Sequence, residues 1–218
     1  MGIRWRLTSR FTARSRSQRF ALFMELMTPS TTDLVLDVGV TDTAWRSSNP
    51  LEAGYPWPDR ITAVGLNSMP TFQKLFPGVK FVVADGRSLP FADKSFDIGY
   101  SNAVIEHVGS LADQHRFVSE LLRSCRRVFI STPDAHFPID PHTLLPFVHW
   151  LPRRLRHPIL RATGNRHWAS ESALHPLSAA QLISMFPPDA HVRIVRQRVL
   201  GITTVITAIA GDSPTTRE

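Results

Sequence analysis

Val79–Val108 reads VKFVVADGRSLPFADKSFDIGYSNAVIEHV, and its pattern decides the fold. Two apolar runs, residues 79–84 and 97–100, have the length and the β-branched or aromatic content of buried parallel strands. Each runs into a small polar cluster, Asp85-Gly86 after the first and Ser101-Asn102 after the second. An open α/β sheet takes its ligands outside the carboxyl ends of its strands, so both clusters fall where a site belongs.

The flanking sequence supplies the rest of such a sheet. Apolar residues recur at helical spacing from Ser17, a candidate cap, to Met27, and Thr28-Pro29-Ser30 ends that helix. Residues 34–38 form a first strand running into Asp37-Val38-Gly39, and residues 61–66 form a second. Pro50 opens a short helix that Pro56 and Pro58 stop. Residues 72–76 and 113–125 read as further helices and 126–131 as the fifth strand. A short helix from Ser178 precedes two terminal strands, 192–199 and 202–210, joined at Leu200-Gly201. The fold expected is a Rossmann-like, doubly wound α/β sheet of seven strands, mostly parallel with an antiparallel C-terminal strand and helices on both faces. A basic arm (1–16), a single domain (17–210) with an insertion at about 133–188, and a mobile tail (211–218) complete the expected organisation.

The acid after the third strand (Asp85), the connection Leu89-Pro90-Phe91, Asp93, Ser95-Phe96-Asp97 and the opening Val104-Ile105-Glu106-His107-Val108 resemble the class I S-adenosylmethionine-dependent methyltransferases, in the type 11-like subgroup acting mostly on small molecules. The resemblance implies that Asp37 and Gly39 approach the amino-acid end of S-adenosylmethionine, that Asn67 stands where an acid usually holds the ribose, and that Asp85 with Gly86 meets the adenine. Asn102 lies beside the reactive end. The chain departs from the family after Gly39, where Val40-Thr41-Asp42-Thr43 replaces further glycines. Only Gly39 keeps the freedom of a residue without Cβ, and Asp42 with the hydroxyls of Thr41, Thr43 and Ser47 is the expected polar substitute. Asn67 lacks the charge that strengthens a bidentate pair.

Composition sets the remaining bounds. At 218 residues the chain can bury a core of its own. One cysteine, Cys125, excludes an internal disulfide framework and reads as a buried small hydrophobe. No Cys/His spacing suggests a metal, and no apolar run spans a bilayer. A cytoplasmic protein is expected, with peripheral membrane contact left open; an organellar transit peptide is the weaker reading of the arm. The net charge of +7 is local: six arginines and no acid occupy the first twenty residues, and five arginines lie between Arg153 and Arg166. Twenty-two arginines against three lysines also read as a compositional habit, leaving them as solvated surface.

Chemistry is expected after the fifth strand, where His136, Asp140 and His142 crowd a proline-rich loop. Histidine titrates near neutrality and can take a proton from an acceptor hydroxyl or amine while a methyl moves. His136 and His142 are the candidate acid/base pair, with Asp140 orienting His142; the alternative is that they only stiffen a lid. His107 is a third candidate, although on a helix Glu106 and His107 would project about 100° apart. Leu144–His175 mixes tryptophan and arginine with leucine, as a substrate lid would, or a membrane-surface segment, or a single-stranded nucleic-acid groove. The function implied is methyl transfer from S-adenosylmethionine to a small-molecule or lipid-like acceptor. The alternative is an inactive binding or regulatory protein with a degenerate cofactor site. Nucleic acid is the least favoured partner, since neither an Asn-Pro-Pro-aromatic signature nor a catalytic-cysteine motif is present.

Overall fold

The computed structural model describes residues 3–139, 143–169 and 174–211. Its strands are β1 (Val35–Val38), β2 (Ile61–Gly65), β3 (Lys80–Val83), β4 (Phe96–Asn102), β5 (Cys125–Pro133), β6 (Arg193–Val199) and β7 (Ile202–Gly211), and its helices are α1 (Ile3–Met27), α2 (Pro50–Gly54), α3 (Pro70–Leu75), α4 (Leu111–Ser124), α5 (Arg153–Ala162) and α6 (Ala179–Ile183). The strands form one sheet in the order β3-β2-β1-β4-β5-β7-β6. Strand β1 runs parallel to β2 and β4, β2 parallel to β3, and β6 antiparallel to β7. The seven-stranded mixed sheet expected from sequence is therefore present.

Two compact units make up the chain: Met1–Ser101 with Leu121–Phe129, and Asn102–Glu120 with Ile130–Glu218. In the first, Phe23 of α1 is fully buried. It meets the rings of Tyr100 and Phe129 edge-on, at centroid distances of 5.1 and 5.5 Å, and Tyr55 at 6.4 Å. Arg127 donates to the carbonyl oxygen of Met27, the last residue of α1, and pairs with Asp33 at 3.4 Å, which satisfies the helix's C-terminal acceptor with a cation.

Helix α1 begins at Ile3 rather than at Ser17, so Ser17 is an interior residue and the expected basic arm is helical. The physical reason lies in the sequence, since arginine is a good helix former and no proline or glycine interrupts residues 3–27.

The LPFADKSFD connection is architectural. Leu89 and Phe96 are buried, and Phe91 packs edge-on against Phe96. The Arg123 guanidinium donates to the carbonyls of Phe91 and Leu89 and to Asp93. Lys94, held at φ +51°, donates from Nζ to the carbonyls of Leu122 and Cys125, capping the end of α4. Burial pushes the Cys125 thiol up to about 12, so it is the inert small hydrophobe expected.

In the second unit, Ser178 caps α6 in a reciprocal box with Gln181. Of the tail expected at 211–218, Gly211 instead ends β7, and residues 212–218 lie outside the described residues.

Phe23→Ala is expected to lower unfolding stability by about 3–5 kcal/mol, the range for emptying a buried phenylalanine site, read from chemical denaturation. A loss under about 1 kcal/mol would mean that α1 is not anchored through this ring.

Candidate functional site

In the first unit the carboxyl ends of β1, β2 and β3 lie side by side. Gly39 N and Val40 N both donate to Val64 O, and Ala84 N donates to Gly65 O, so Gly39, the 65–67 segment and Asp85 line one edge of the sheet in order. Gly39 sits at φ +108°, a conformation a Cβ would strain. Asn67 is exposed just past β2 and Gly86 is buried beside Asp85. Ser101, fully buried, donates its hydroxyl to Val38 O and ties the end of β4 to the end of β1.

The polar loop after Gly39 is engaged with its own neighbours. Thr41 donates through its backbone N–H and hydroxyl to Asn49 Oδ1, and Asn49 Nδ2 returns a bond to Thr41 O. Asp42 accepts from Phe72 N in the first turn of α3, where a carboxylate is favoured. The Thr43 hydroxyl accepts from Trp45 N. Asn49 stands at the N-cap position of α2, but its side chain makes no cap bond and holds this loop instead.

Asp85 carries a feature that the sequence left open. Arg87, which reads as a plain surface residue, grips its carboxylate, with Nη2 at 2.6 Å from Oδ2 and Nε at 3.0 Å from both oxygens. The pair is over a third exposed, so loosening it for a ligand costs about 1 kcal/mol or less.

Below the end of β1 is a buried ionisable cluster. The register pairs Asp37 with Tyr100, which puts both side chains on the same face of the sheet. Burial drives the Asp37 carboxyl well above the usual carboxylate range, and the neighbouring Glu52 carboxyl adds to the shift through its charge and a shared hydrogen bond. Glu52, on α2, is pushed up to about 7, again mainly by burial. Apart from that contact with Asp37, neither Glu52 oxygen has a hydrogen-bond partner, nor does the Tyr100 hydroxyl, among the described residues. Tyr100 is itself raised well above its ordinary value by burial and by the charges of Asp37 and Glu52, against which Arg19 and Arg16 of α1 act. Arg16 is depressed by its own burial.

The second unit holds the histidines. Ile105–His107 is a single 3-10 turn, not the expected longer helix, so the 100° separation does not apply: His107 Nε2 lies 3.9 Å from Glu106 Oε1. Glu106 is buried and accepts from the Thr132 hydroxyl at 3.0 Å. The His107 ring faces Trp168 at 5.7 Å. Asn102 accepts from the Ser131 hydroxyl. His136 is exposed and its Nδ1 lies 3.0 Å from Asp134 Oδ1, while Asp134 is buried and also accepts from His136 N. A carboxylate thus orients His136, a pairing the sequence reading missed when it assigned that role to Asp140 for His142. Both Asp140 and His142 lie outside the described residues.

A cavity of about 440 Å³ adjoins this loop, walled by Leu111, Trp150, Leu151, Leu177 and the polar Gln114 and His175. His175 N donates to Glu106 O, and Gln114 Nε2 to Ile105 O and His175 O, which fixes the cavity floor to the 105–107 turn.

Comparison with known proteins agrees with the fold. Residues 56–128 match the methyltransferase domain family. Among solved structures, a Methanosarcina mazei S-adenosylmethionine-dependent methyltransferase is 16% identical over 84% of this chain and 93% of that one, with a TM-score of 0.54. A Burkholderia thailandensis 1,6-didemethyltoxoflavin N1-methyltransferase, with bound 1,6-didemethyltoxoflavin and S-adenosylhomocysteine, is 18% identical over 92% and 79%, at 0.55. The Synechocystis magnesium protoporphyrin IX methyltransferase, with bound S-adenosylhomocysteine, is 14% identical over 95% and 85%, at 0.56. No curated protein sequence matches the chain. The chain has the class I S-adenosylmethionine-dependent methyltransferase fold.

S-adenosylmethionine is the cofactor that this fold implies, and the residues present fit it. Its amino-acid end carries an ammonium and a carboxylate, and the cluster beneath β1 offers the Asp37 and Glu52 carboxyls and the Tyr100 hydroxyl, of which Glu52 (apart from Asp37) and Tyr100 have no hydrogen-bond partner among the described residues, beside the guanidinium groups of Arg16 and Arg19. Glu52, Tyr100, Arg16 and Arg19 were not singled out from sequence. Strand parity was the available signal for Tyr100, the fifth residue of β4 and opposite Asp37; nothing local marks Glu52.

The buried pair gives a pH dependence. Both carboxyls are raised in the fold, so the folded chain holds protons that the unfolded chain releases. The Glu52 contribution is therefore intact below about pH 4 and is lost as pH rises to about 7, where Glu52 ionises. Glu52→Gln is expected to flatten that decline and to raise stability of the ligand-free protein above about pH 8 by on the order of 3 kcal/mol. Thermal melts across pH test this; parallel wild-type and variant profiles would refute it.

Proposed function

We propose that this chain transfers the methyl group of S-adenosylmethionine to an oxygen or nitrogen of a small-molecule or lipid-like acceptor. The observation that carries the reading is the row of strand ends, with Gly39, Asn67 and Asp85 in the order in which an extended nucleoside would meet them. Asp85 accepts from the adenine amino group, Asn67 bonds the ribose hydroxyls, and Gly39 lets the backbone approach. Asp37 and Glu52 hold the ammonium, and ionise as it arrives.

When bound, S-adenosylmethionine supplies a methyl group on a positively charged sulfur that is already a strong electrophile. The chain's own residues need only align the acceptor, exclude water and remove a proton. Trp150, Leu151 and Leu177 give the cavity an apolar wall for the acceptor's body, and Gln114 with His175 gives polar points to fix its orientation. His136, oriented by Asp134, is the base. Asn102 and the 105–107 turn are positioning elements.

Calorimetric titration with S-adenosylmethionine and S-adenosylhomocysteine is expected to give micromolar binding of both. Asp85→Ala should weaken it by about tenfold or more, equivalent to about 1.4 kcal/mol. With an acceptor in hand, His136→Gln should lower kcat by about 10²–10⁴-fold and leave cofactor affinity unchanged. Absence of binding by folded protein at millimolar ligand would refute the enzyme reading and favour a non-catalytic role for the fold.

A further inference from the structure

Ile139 and the described residues from 143 to 166 turn two different sides to their surroundings. One side of α5 and the loop before it belongs to the cavity, through Trp150, Leu151, Pro152 and Arg156, and Leu160 below Arg156 is buried. The other side is apolar and open. Phe147, Trp150 and Leu155 are 55%, 51% and 52% exposed, and Ile139 and Leu144 are also exposed. Ile139, Phe147 and Trp150 are neighbours: Phe147 N donates to Pro138 O, Ile139 pairs with Pro146, and the Phe147 and Trp150 rings lie 5.2 Å apart. Leu144 and Phe147 are held at φ +58° and +61°, unusual for large non-glycine residues, and the fold accepts that backbone cost while leaving both side chains outside.

Helix α5 continues the pattern. Leu155, Pro158 and Ala162 are exposed at spacings of three and four, so they form one stripe. Arg154 and Arg161, seven residues apart and exposed, form a second stripe beside it, and Arg166 is exposed just beyond. No acid occurs from 143 to 170. An apolar stripe edged by arginines, next to a projecting phenylalanine and tryptophan, is the arrangement of a helix that lies in the plane of a bilayer surface.

We propose that this face docks the protein on an anionic membrane, with Phe147, Trp150 and Leu155 entering the headgroup boundary and Arg154, Arg161 and Arg166 meeting lipid phosphates. The alternatives fit less well. A second copy placed by a two-fold axis would bring the same acid-free, arginine-bearing face against itself. A nucleic acid would use the arginines and the aromatic rings, but has no use for a stripe of Leu155, Pro158 and Ala162 with Ile139 and Leu144 beside it. The inference does not depend on methyl transfer, and its test has no catalytic readout.

Full-length protein is sedimented with vesicles of phosphatidylcholine alone and of phosphatidylcholine mixed with phosphatidylglycerol. Binding is expected only or chiefly to the mixed vesicles. Arg154→Glu with Arg161→Glu should weaken it by about fivefold or more per arginine, and Phe147→Asp with Leu155→Asp should abolish it, with circular dichroism unchanged since all four side chains are exposed. The proposal is overturned by no vesicle binding at low salt, or by binding that both double variants retain, which would assign it to the arginines of α1. A dimer dissolved by Leu155→Asp would give the face to a second copy. Tight binding of single-stranded RNA without vesicle binding would give it to nucleic acid.

Discussion

The first unit depends on burying two carboxyl groups side by side. Asp37 sits in β1, just before Gly39, and Glu52 reaches it from the short helix that the prolines at 56 and 58 cut off. Two adjacent carboxyls away from water cannot both ionise cheaply, so the pair holds protons and the surrounding structure must exclude solvent from it. Helix α1 supplies that cover. Phe23 seals one side against Tyr100 and Phe129, while Arg16 and Arg19 bring positive charge within reach of the same cluster. The helix is thus both a hydrophobic lid on the sheet and the cluster's counter-charge, which accounts for an amphipathic pattern weaker than the role of the helix suggests.

That arrangement also explains how a glycine-poor loop remains compatible with a cofactor. Asn49 and Asp42 bind Thr41 and the start of α3 and hold the loop after Gly39 in one conformation. Its hydroxyls and much of its backbone serve the loop itself, and in the proposed reading polar recognition falls one layer down, to Asp37 and Glu52. Rigidity replaces the adaptability that further glycines would have given, and a preformed site loses less entropy when a ligand arrives.

Sequence disclosed what periodicity and position control. Strands β1 to β5, the terminal hairpin, the buried Cys125 and the strand-end placement of Gly39, Asn67 and Asp85 all follow from apolar runs broken by polar residues, because a buried parallel sheet imposes that pattern directly. It did not disclose contacts between elements far apart in the chain. Glu52 looks like an ordinary helix residue until α2 is packed over β1. Arg87 reads as surface until its guanidinium is seen on Asp85. The Asp134–His136 pair, only two residues apart, was hidden for a different reason: the turn that brings a side chain back on its near neighbour is set by backbone geometry, and the prolines around it pointed equally well to a plain stiff loop.

The insertion after β5 shows how one short helix can serve two surfaces. At 3.6 residues per turn, ten residues give α5 not quite three turns, so each face has only two or three positions. Arg156 and Leu160 take the inner face, and Leu155, Pro158 and Ala162 the outer one, with Arg154 and Arg161 at their edge. Pro158 in the interior removes one backbone donor, a loss tolerable in a helix held from inside by Leu160 and by the cavity wall. The preceding loop repeats the division in a single residue: Trp150 lines the cavity and donates Nε1–H to Ala135 O, yet leaves half its surface outside. A side chain with one polar handle and a large apolar body suits a boundary between a pocket and a surface that is itself part apolar. Trp150 thereby joins the outer face to the cavity wall beside the His136 loop.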